Sequence, residues 1–367
     1  MSTLFQPFQL KNRKLYNRFV VAPMTRISAE TNGVPTEAMQ QYYDRFARGG
    51  FSAVITEGIY IDERYSQGYY HQPGLAKDQH VAAWSPIVQT VQAHGSVIIA
   101  QLMHAGGQSQ GNMHTDERIS PSGIAPKGEQ LEFYGGKGPF PASRSLSYKD
   151  IAQVQEAFVD SAQRAKQAGF DGVEIHGANG YLLDEFLTEY MNQRQDDYGG
   201  SLDNRLRLFL ETIRAVRQAV GDDFIVGIRM SQIKVSDPDY KWSGGENDAQ
   251  YIFEQLGATS LDYIHVTDSD ATQSAFGERT RTLAQAAKTF SQLPIIVNGG
   301  LGDAEQAQAL LAAGDADVVA LGTSALANPD LPNKIAHGKS LVAFDFAATL
   351  LPQAEIKHHE LQMTLSE

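Results

Sequence analysis

One repeated unit restricts what this chain can fold into: a short apolar run, then a helical stretch closed by glycine. Eight runs rich in β-branched residues recur along the 367 residues: NRFVVAPMT, FSAVITEG, GSVIIAQLMHAG, FDGVEIHG, DFIVGIRMS, LDYIHVTD, PIIVNGG and ADVVALG. Most are nearly continuous apolar segments, which is how strands buried on both faces of a helix-covered parallel sheet read. Several of the stretches between them end in a glycine stop, at RFARGG, TVQAHG, QRAKQAG, RQAVG, FEQLG and LLAAG. Eight βα units in this order predict an α/β fold, a (β/α)8 TIM barrel whose active site lies at the C-terminal strand ends. A doubly wound open sheet would carry G-x-G-x-x-G after its first strand, where this chain has APMTR.

The connection from 105 to 147, after the third strand, is long, rich in Gly, Pro and Ser, and weakly helical. It reads as an excursion over the barrel mouth within one domain spanning 1–367. The tail after Asn328 reads as helical and charged, without obvious chemistry. Cysteine is absent, which removes disulfides, thiolate metal sites and cysteine nucleophiles, so any redox chemistry needs a cofactor. A net charge of −13 disfavours nucleic acid as a partner. No run is apolar enough for a membrane span, and the N-terminus lacks a secretion signal, so a cytoplasmic location is expected.

Under the barrel reading, the strand ends collect Pro23, Met24 and Thr25; Glu57 and Gly58; Gln101 and His104; His176, Asn179 and Tyr181; Arg229; Asn298, Gly299 and Gly300; and Gly322 and Thr323. The glycine loops after the last two strands suit a phosphate, because backbone N–H groups and helix N-termini favour an anion there; tight turns are the plainer explanation. Arg229 needs an anion or strong acceptors, or else a structural carboxylate such as Glu57 or Glu174. Gln101 suits a heterocycle edge, or is a satisfied core amide. His176 alone reads as a core histidine. With Asn179 and Tyr181 it makes two N–H donors and a phenol, and no metal site is expected, because Asn179 is a poor transition-metal ligand.

These motifs together resemble the Old Yellow Enzyme family, FMN-dependent ene reductases. The similarity covers essentially the whole length through NRFVVAPMTR, TEG, QLMHAG, AGFDGVEIHGANGYLLDEFL, NQRQDDYGGSLDNRLR, GIRMS, NGG and ALANPDLP. The resemblance implies FMN as cofactor and NADPH or NADH as reductant. Pro23, Met24 and Thr25 would lie along the flavin, with Gly58 packed on the ring, Gln101 at its pyrimidine edge and Arg229 beside N1. Asn298 joins this cofactor set, and Gly299, Gly300, Gly322 and Thr323 would surround the phosphate. His176 and Asn179 would hold the oxygen of an activated alkene (enone, maleimide or nitroalkene), and Tyr181 would donate the proton. The small-molecule partner is accompanied by an expectation of a monomer or homodimer.

Three positions depart from the family's usual pattern. Gly322-Thr323 replaces Gly-Arg at the last phosphate loop, with Arg279 and Arg281 as candidate substitutes. HAGGQ replaces HAGRQ, and Met103 stands where some members have tryptophan. The competing readings are a flavin-binding barrel with little turnover and a phosphate-binding barrel lyase or isomerase. The latter needs a strand-end lysine or a carboxylate pair, and no lysine falls at an expected strand end.

Overall fold

The computed structural model describes residues 2–366. Each of the eight apolar runs forms a parallel strand: β1 Phe19–Val21, β2 Ala53–Ile55, β3 Val97–Met103, β4 Gly172–Asn179, β5 Ile225–Lys234, β6 Tyr263–Thr267, β7 Ile295–Asn298 and β8 Val318–Leu321. Each pairs with the next, and Val319 of β8 pairs with Phe19 of β1, so the sheet closes into a barrel. Closure leaves no unpaired edge, which explains why strands as short as three residues persist.

The surrounding helices are α1 Glu37–Arg48, α2 Asp78–Ala93, α3 Tyr148–Ala168, α4 Leu182–Leu187, α5 Leu202–Val220, α6 Glu246–Gly257, α7 Leu283–Ser291 and α8 Ala304–Ala312. Their starts follow local chemistry. Ser147 caps α3 through Asp150 N–H while the Asp150 side chain returns to the Ser147 N–H, and Thr282 with Gln285 does the same for α7. Their stops match the glycine punctuation, as at Gly169, whose φ of 94° suits the left-handed turn after α3. Phe46, Trp84, Phe158 and Phe209 are fully buried in the main hydrophobic core. Each such side chain contributes about 1.5–3 kcal/mol by leaving water.

A hairpin of Phe8–Leu10 with Arg13–Leu15 closes the N-terminal end of the barrel, where Leu10 and Leu15 cluster with Val20, Ala53, Ile225 and Ile296. Chemistry is therefore confined to the opposite end. The 105–147 segment holds one short parallel pairing, Ile119–Ser120 with Arg144–Ser145, two single-turn 3-10 helices, Gly106–Gln108 and Glu132–Tyr134, and is otherwise mostly irregular. No described helix is long and apolar enough to cross a membrane.

Two expectations need correction. The tail does carry chemistry: Glu360 is 1% exposed and accepts from Arg26 at 2.5 and 2.8 Å and from Arg45 at 3.3 Å. A lysine does end a strand. After a register shift β5 runs on to Lys234, which pairs with Asn179 of β4. Its alternation of Ser, Gln and Lys hid the extension, because the apolar run stops at Met230.

Candidate active site

Strand register determines which side chains share a layer inside the barrel. Arg229 of β5 aligns with His176 of β4 on one side and His265 of β6 on the other, and Gln101 of β3 aligns with Glu174 of β4. Glu174 is fully buried and accepts from Gln101 Nε2 at 2.8 Å, Tyr263 O–H at 3.0 Å and His265 Nδ1 at 2.9 Å. Burial pushes its carboxyl up, but His265, Arg229 and Gln101 together hold it below the ordinary range. It stays ionised and balances Arg229.

The Arg229 guanidinium forms no ion pair within bonding distance of Glu57 or Glu174. Its Nη2 donates to Asn298 Oδ1 at 3.0 Å, while its buried Nε has no protein partner among the described residues. Asn298 is a holder for this arginine: Oδ1 also accepts from Thr267 at 2.9 Å, and Nδ2 donates to the Ala320 carbonyl at 2.9 Å. Gln101 spends its N–H on Glu174, which leaves no protein donor on its Oε1.

Burial first, then the charges of Arg229 and His265, hold His176 well below the ordinary histidine pKa. The imidazole is neutral. The Ala178 N–H donates to Nδ1 at 3.3 Å, which places the ring proton on Nε2 and makes that atom a hydrogen-bond donor. Three residues after His176, Asn179 adopts a φ of 62°, unusual for a residue with a Cβ. Its N–H donates to Ser231 at 2.8 Å, and its carbonyl accepts from Gln108 at 2.9 Å and Val235 at 3.0 Å. The Tyr181 ring meets the His176 ring edge to face at 4.9 Å, and its hydroxyl lies 2.6 Å from that of Tyr69.

These groups line one cavity of about 450 Å³ at the C-terminal end of the barrel. Its lining takes Pro23, Met24, Thr25 and Gly58 from the first two strand ends, Gln101, His176, Asn179, Tyr181 and Arg229 from the third to fifth, and Asn298, Gly299, Gly300, Gly322 and Thr323 from the last two. The residues expected to hold the cofactor and the substrate are thus brought together. Close approach explains Gly58, where a Cβ would sit 2.5 Å from the Met103 sulfur, and Gly299, where it would sit 2.4 Å from the Asp268 carbonyl. Leu131, Phe133 and Tyr134 of the 105–147 excursion join the lining, with Tyr69, Met103, Val235 and Leu350.

Some expectations do not hold. Tyr70 and Tyr240 lie outside the lining; Tyr240 stacks instead on the Lys234 ammonium at 4.4 Å. Arg281 is paired with Glu246, and neither it nor Arg279 lines the cavity. The glycine-loop end instead presents Thr323, Ser324, Ser269 and Asp268, and the described cations of the lining are Arg26 and Arg229 alone. Sequence reasoning also missed His265 and Thr267. The polar residues inside the buried run LDYIHVTD were the available signal. Leu350 and Glu360 carried none: Leu350 packs on a cluster that includes Tyr69, Met103 and Tyr181, and Glu360 pairs with Arg26 and Arg45 more than 300 residues away in the chain.

A planar heterocycle fits this cavity. Donors on one edge (Arg229 Nε and neutral His176), a bare amide oxygen on another (Gln101), a glycine wall and a loop-rich far end are the complement of a flavin with an anionic tail. Among the described residues no cluster of three or more metal-ligating side chains is present.

The description of the NADH:flavin oxidoreductase / NADH oxidase family matches residues 3–341. The chain is 34% identical over 348 residues to the Leishmania infantum protein described as a probable flavin mononucleotide-dependent alkene reductase, covering 93% of this chain and 92% of that one. Its fold matches the Old Yellow Enzyme homologue from Zymomonas mobilis with a TM-score of 0.88 at 30% identity, over 99% and 100% of the two chains. It also matches morphinone reductase in complex with tetrahydroNAD, with a TM-score of 0.87 at 32% identity, over 100% and 98%.

Proposed function

From the premise that the chain belongs to the NADH:flavin oxidoreductase / NADH oxidase family, the Old Yellow Enzymes, we propose how this NAD(P)H-dependent flavin enzyme reduces activated alkenes. FMN, when bound, would supply the redox chemistry, hydride exchange between NADPH or NADH and the β-carbon of an enone, maleimide or nitroalkene. Gln101 and Arg229 would hold its ring, Gly58 would let it pack closely, and Gly299, Gly300, Gly322 and Thr323 would receive the phosphate. The 105–147 segment acts as a cap within the single 1–367 domain, excluding water with Phe133 and Tyr134.

The neutral His176 donates Nε2–H, and Asn179 donates its amide, to the substrate oxygen, where negative charge grows as the alkene is reduced. Each donor aimed at developing charge contributes about 10²- to 10³-fold. Tyr181 holds a proton at its phenol and delivers it to the α-carbon. Burial keeps that phenol above its ordinary pKa, while the Tyr69 hydrogen bond and Arg229 charge pull it back. The proton is present at neutral pH and is released into a site that stabilises the resulting anion.

The observation that carries this reading is the convergence of neutral His176, Asn179 and Tyr181 on the cavity holding Arg229's unpartnered Nε. The test is spectroscopic. FMN-loaded protein should bleach anaerobically with NADPH or NADH and recolour with 2-cyclohexenone. Bleaching without enone recolouring would leave a flavin-binding barrel with little turnover, and a protein that takes up no FMN would remove the proposal. The lyase or isomerase reading loses its support in the site, since Lys234 is bonded to Asp184 and lies outside the cavity.

A further inference from the structure

Behind the Asn179–Tyr181 turn lies an ion pair that touches neither the cavity nor solvent. Lys234 Nζ donates to both Asp184 oxygens, at 2.6 and 2.7 Å, with both residues 3% exposed or less. Asp184 Oδ2 in turn accepts the Gly180 N–H at 2.7 Å. Lys234 closes β5 in register with Asn179, so the pair ties the end of one strand to the turn that follows its neighbour. Asn179 and Gly180 are consecutive left-handed residues, φ 62° and 85°; glycine adopts this state freely, but Asn179 holds it only where surrounding bonds over-determine it.

We propose that Asp184 and Lys234 are positioning residues for this turn: their buried pair fixes Gly180, and through it the directions of the Asn179 amide and the Tyr181 phenol. The inference rests on the alkene-reductase reading for its catalytic consequence, but its structural content is independent of it. Burial raises the Asp184 carboxyl above its ordinary range; Lys234, bonded to both oxygens, pulls the other way and favours the carboxylate, the stronger acceptor for the Gly180 N–H. Near the pair are Asp237, Glu185, whose burial raises its carboxyl well above the ordinary range and so favours the neutral acid, and the Tyr240 ring. Lys234 is therefore the cation that favours ionised Asp184.

Single substitutions strand a buried charge and test folding more than position. The informative protein is the FMN-loaded double variant Asp184→Leu with Lys234→Met, which removes both charges at similar volume. Expected results are an unchanged flavin spectrum, unchanged bleaching by NADPH or NADH, and 2-cyclohexenone reoxidation slowed about 10- to 100-fold, the scale of a small misplacement. Amide hydrogen exchange at Gly180 and Tyr181 should accelerate in the same variant. Wild-type reoxidation kinetics in a folded double variant would overturn the positioning role. Should wild-type protein itself not be reoxidised by the enone, the functional proposal falls, and exchange decides alone: unchanged protection at Gly180 would overturn the clamp.

Discussion

The hydroxyl of Tyr69 lies 2.6 Å from the hydroxyl of Tyr181, with both rings buried. Tyr69 is the more weakly acidic partner: burial, then the neighbouring Tyr181 and Tyr134, raise it well above the ordinary phenol range. Either hydroxyl can donate in this pair; the weaker acid keeps its proton more firmly, so under the proposed mechanism Tyr69 is the expected donor to a phenolate on Tyr181. Replacing Tyr181→Phe should leave flavin reduction by NADPH or NADH intact and slow enone reduction about 10²- to 10⁴-fold, the usual range for a general acid. An unchanged enone rate in stopped-flow measurements would take Tyr181 out of the donor role.

Tyr69→Phe removes a bond that favours the Tyr181 phenolate, so the Tyr181 pKa should rise further. The alkaline limb of the enone-reduction profile should move to higher pH, and the plateau rate should fall about tenfold. A limb that stays in place or moves down would show that Tyr69 does not donate to Tyr181.

Buried neutral histidines make stability depend on acid. Burial holds His104 down at about 4 from an ordinary 6.5, against the opposing charge of Asp62 at 4.0 Å. The unfolded chain gains a proton below about 6.5 and the folded chain does not until about 4, so stability is lost as pH falls across that window. His176 and His265 shift in the same direction and add to the loss. The denaturation midpoint should fall between pH 7 and pH 5, and fall less in His104→Asn. Equal slopes in the two proteins would rule out His104 as a contributor.

Thr323→Arg should tighten FMN about tenfold or more by adding a charge-assisted bond at the loop end where Thr323, Ser324 and Ser269 supply only hydroxyls. Riboflavin, which lacks the phosphate, should bind both proteins alike. Fluorescence titration of both flavins checks this; equal gains for riboflavin would place the effect elsewhere.

Glu360→Ala should destabilise the fold by about 3–5 kcal/mol, because Arg26, fully buried, then keeps an uncompensated charge. Arg26 follows Thr25 of the cavity wall, so FMN affinity should drop as well. Equilibrium unfolding with and without FMN separates the two effects, and a loss below about 1 kcal/mol would mean that the pair is not the anchor of the tail.

The barrel and the roster of strand-end residues were legible in the sequence because their causes are local. A strand buried on both faces must be apolar along its length, and a helix must stop where glycine allows the left-handed turn. VEIHGANGYLLDEFL accordingly announced a strand, a turn and three polar side chains in order. What those side chains can do was decided by contacts between distant segments. His176 is a donor because Arg229, His265 and the Ala178 N–H surround it. Tyr181 has a proton-holding neighbour because the loop carrying Tyr69 crosses above it, and Lys234 became a strap because β5 outlasts its apolar run. Protonation state, hydrogen-bond direction and the identity of a partner depend on burial and through-space charge, and neither exists until the chain has closed on itself.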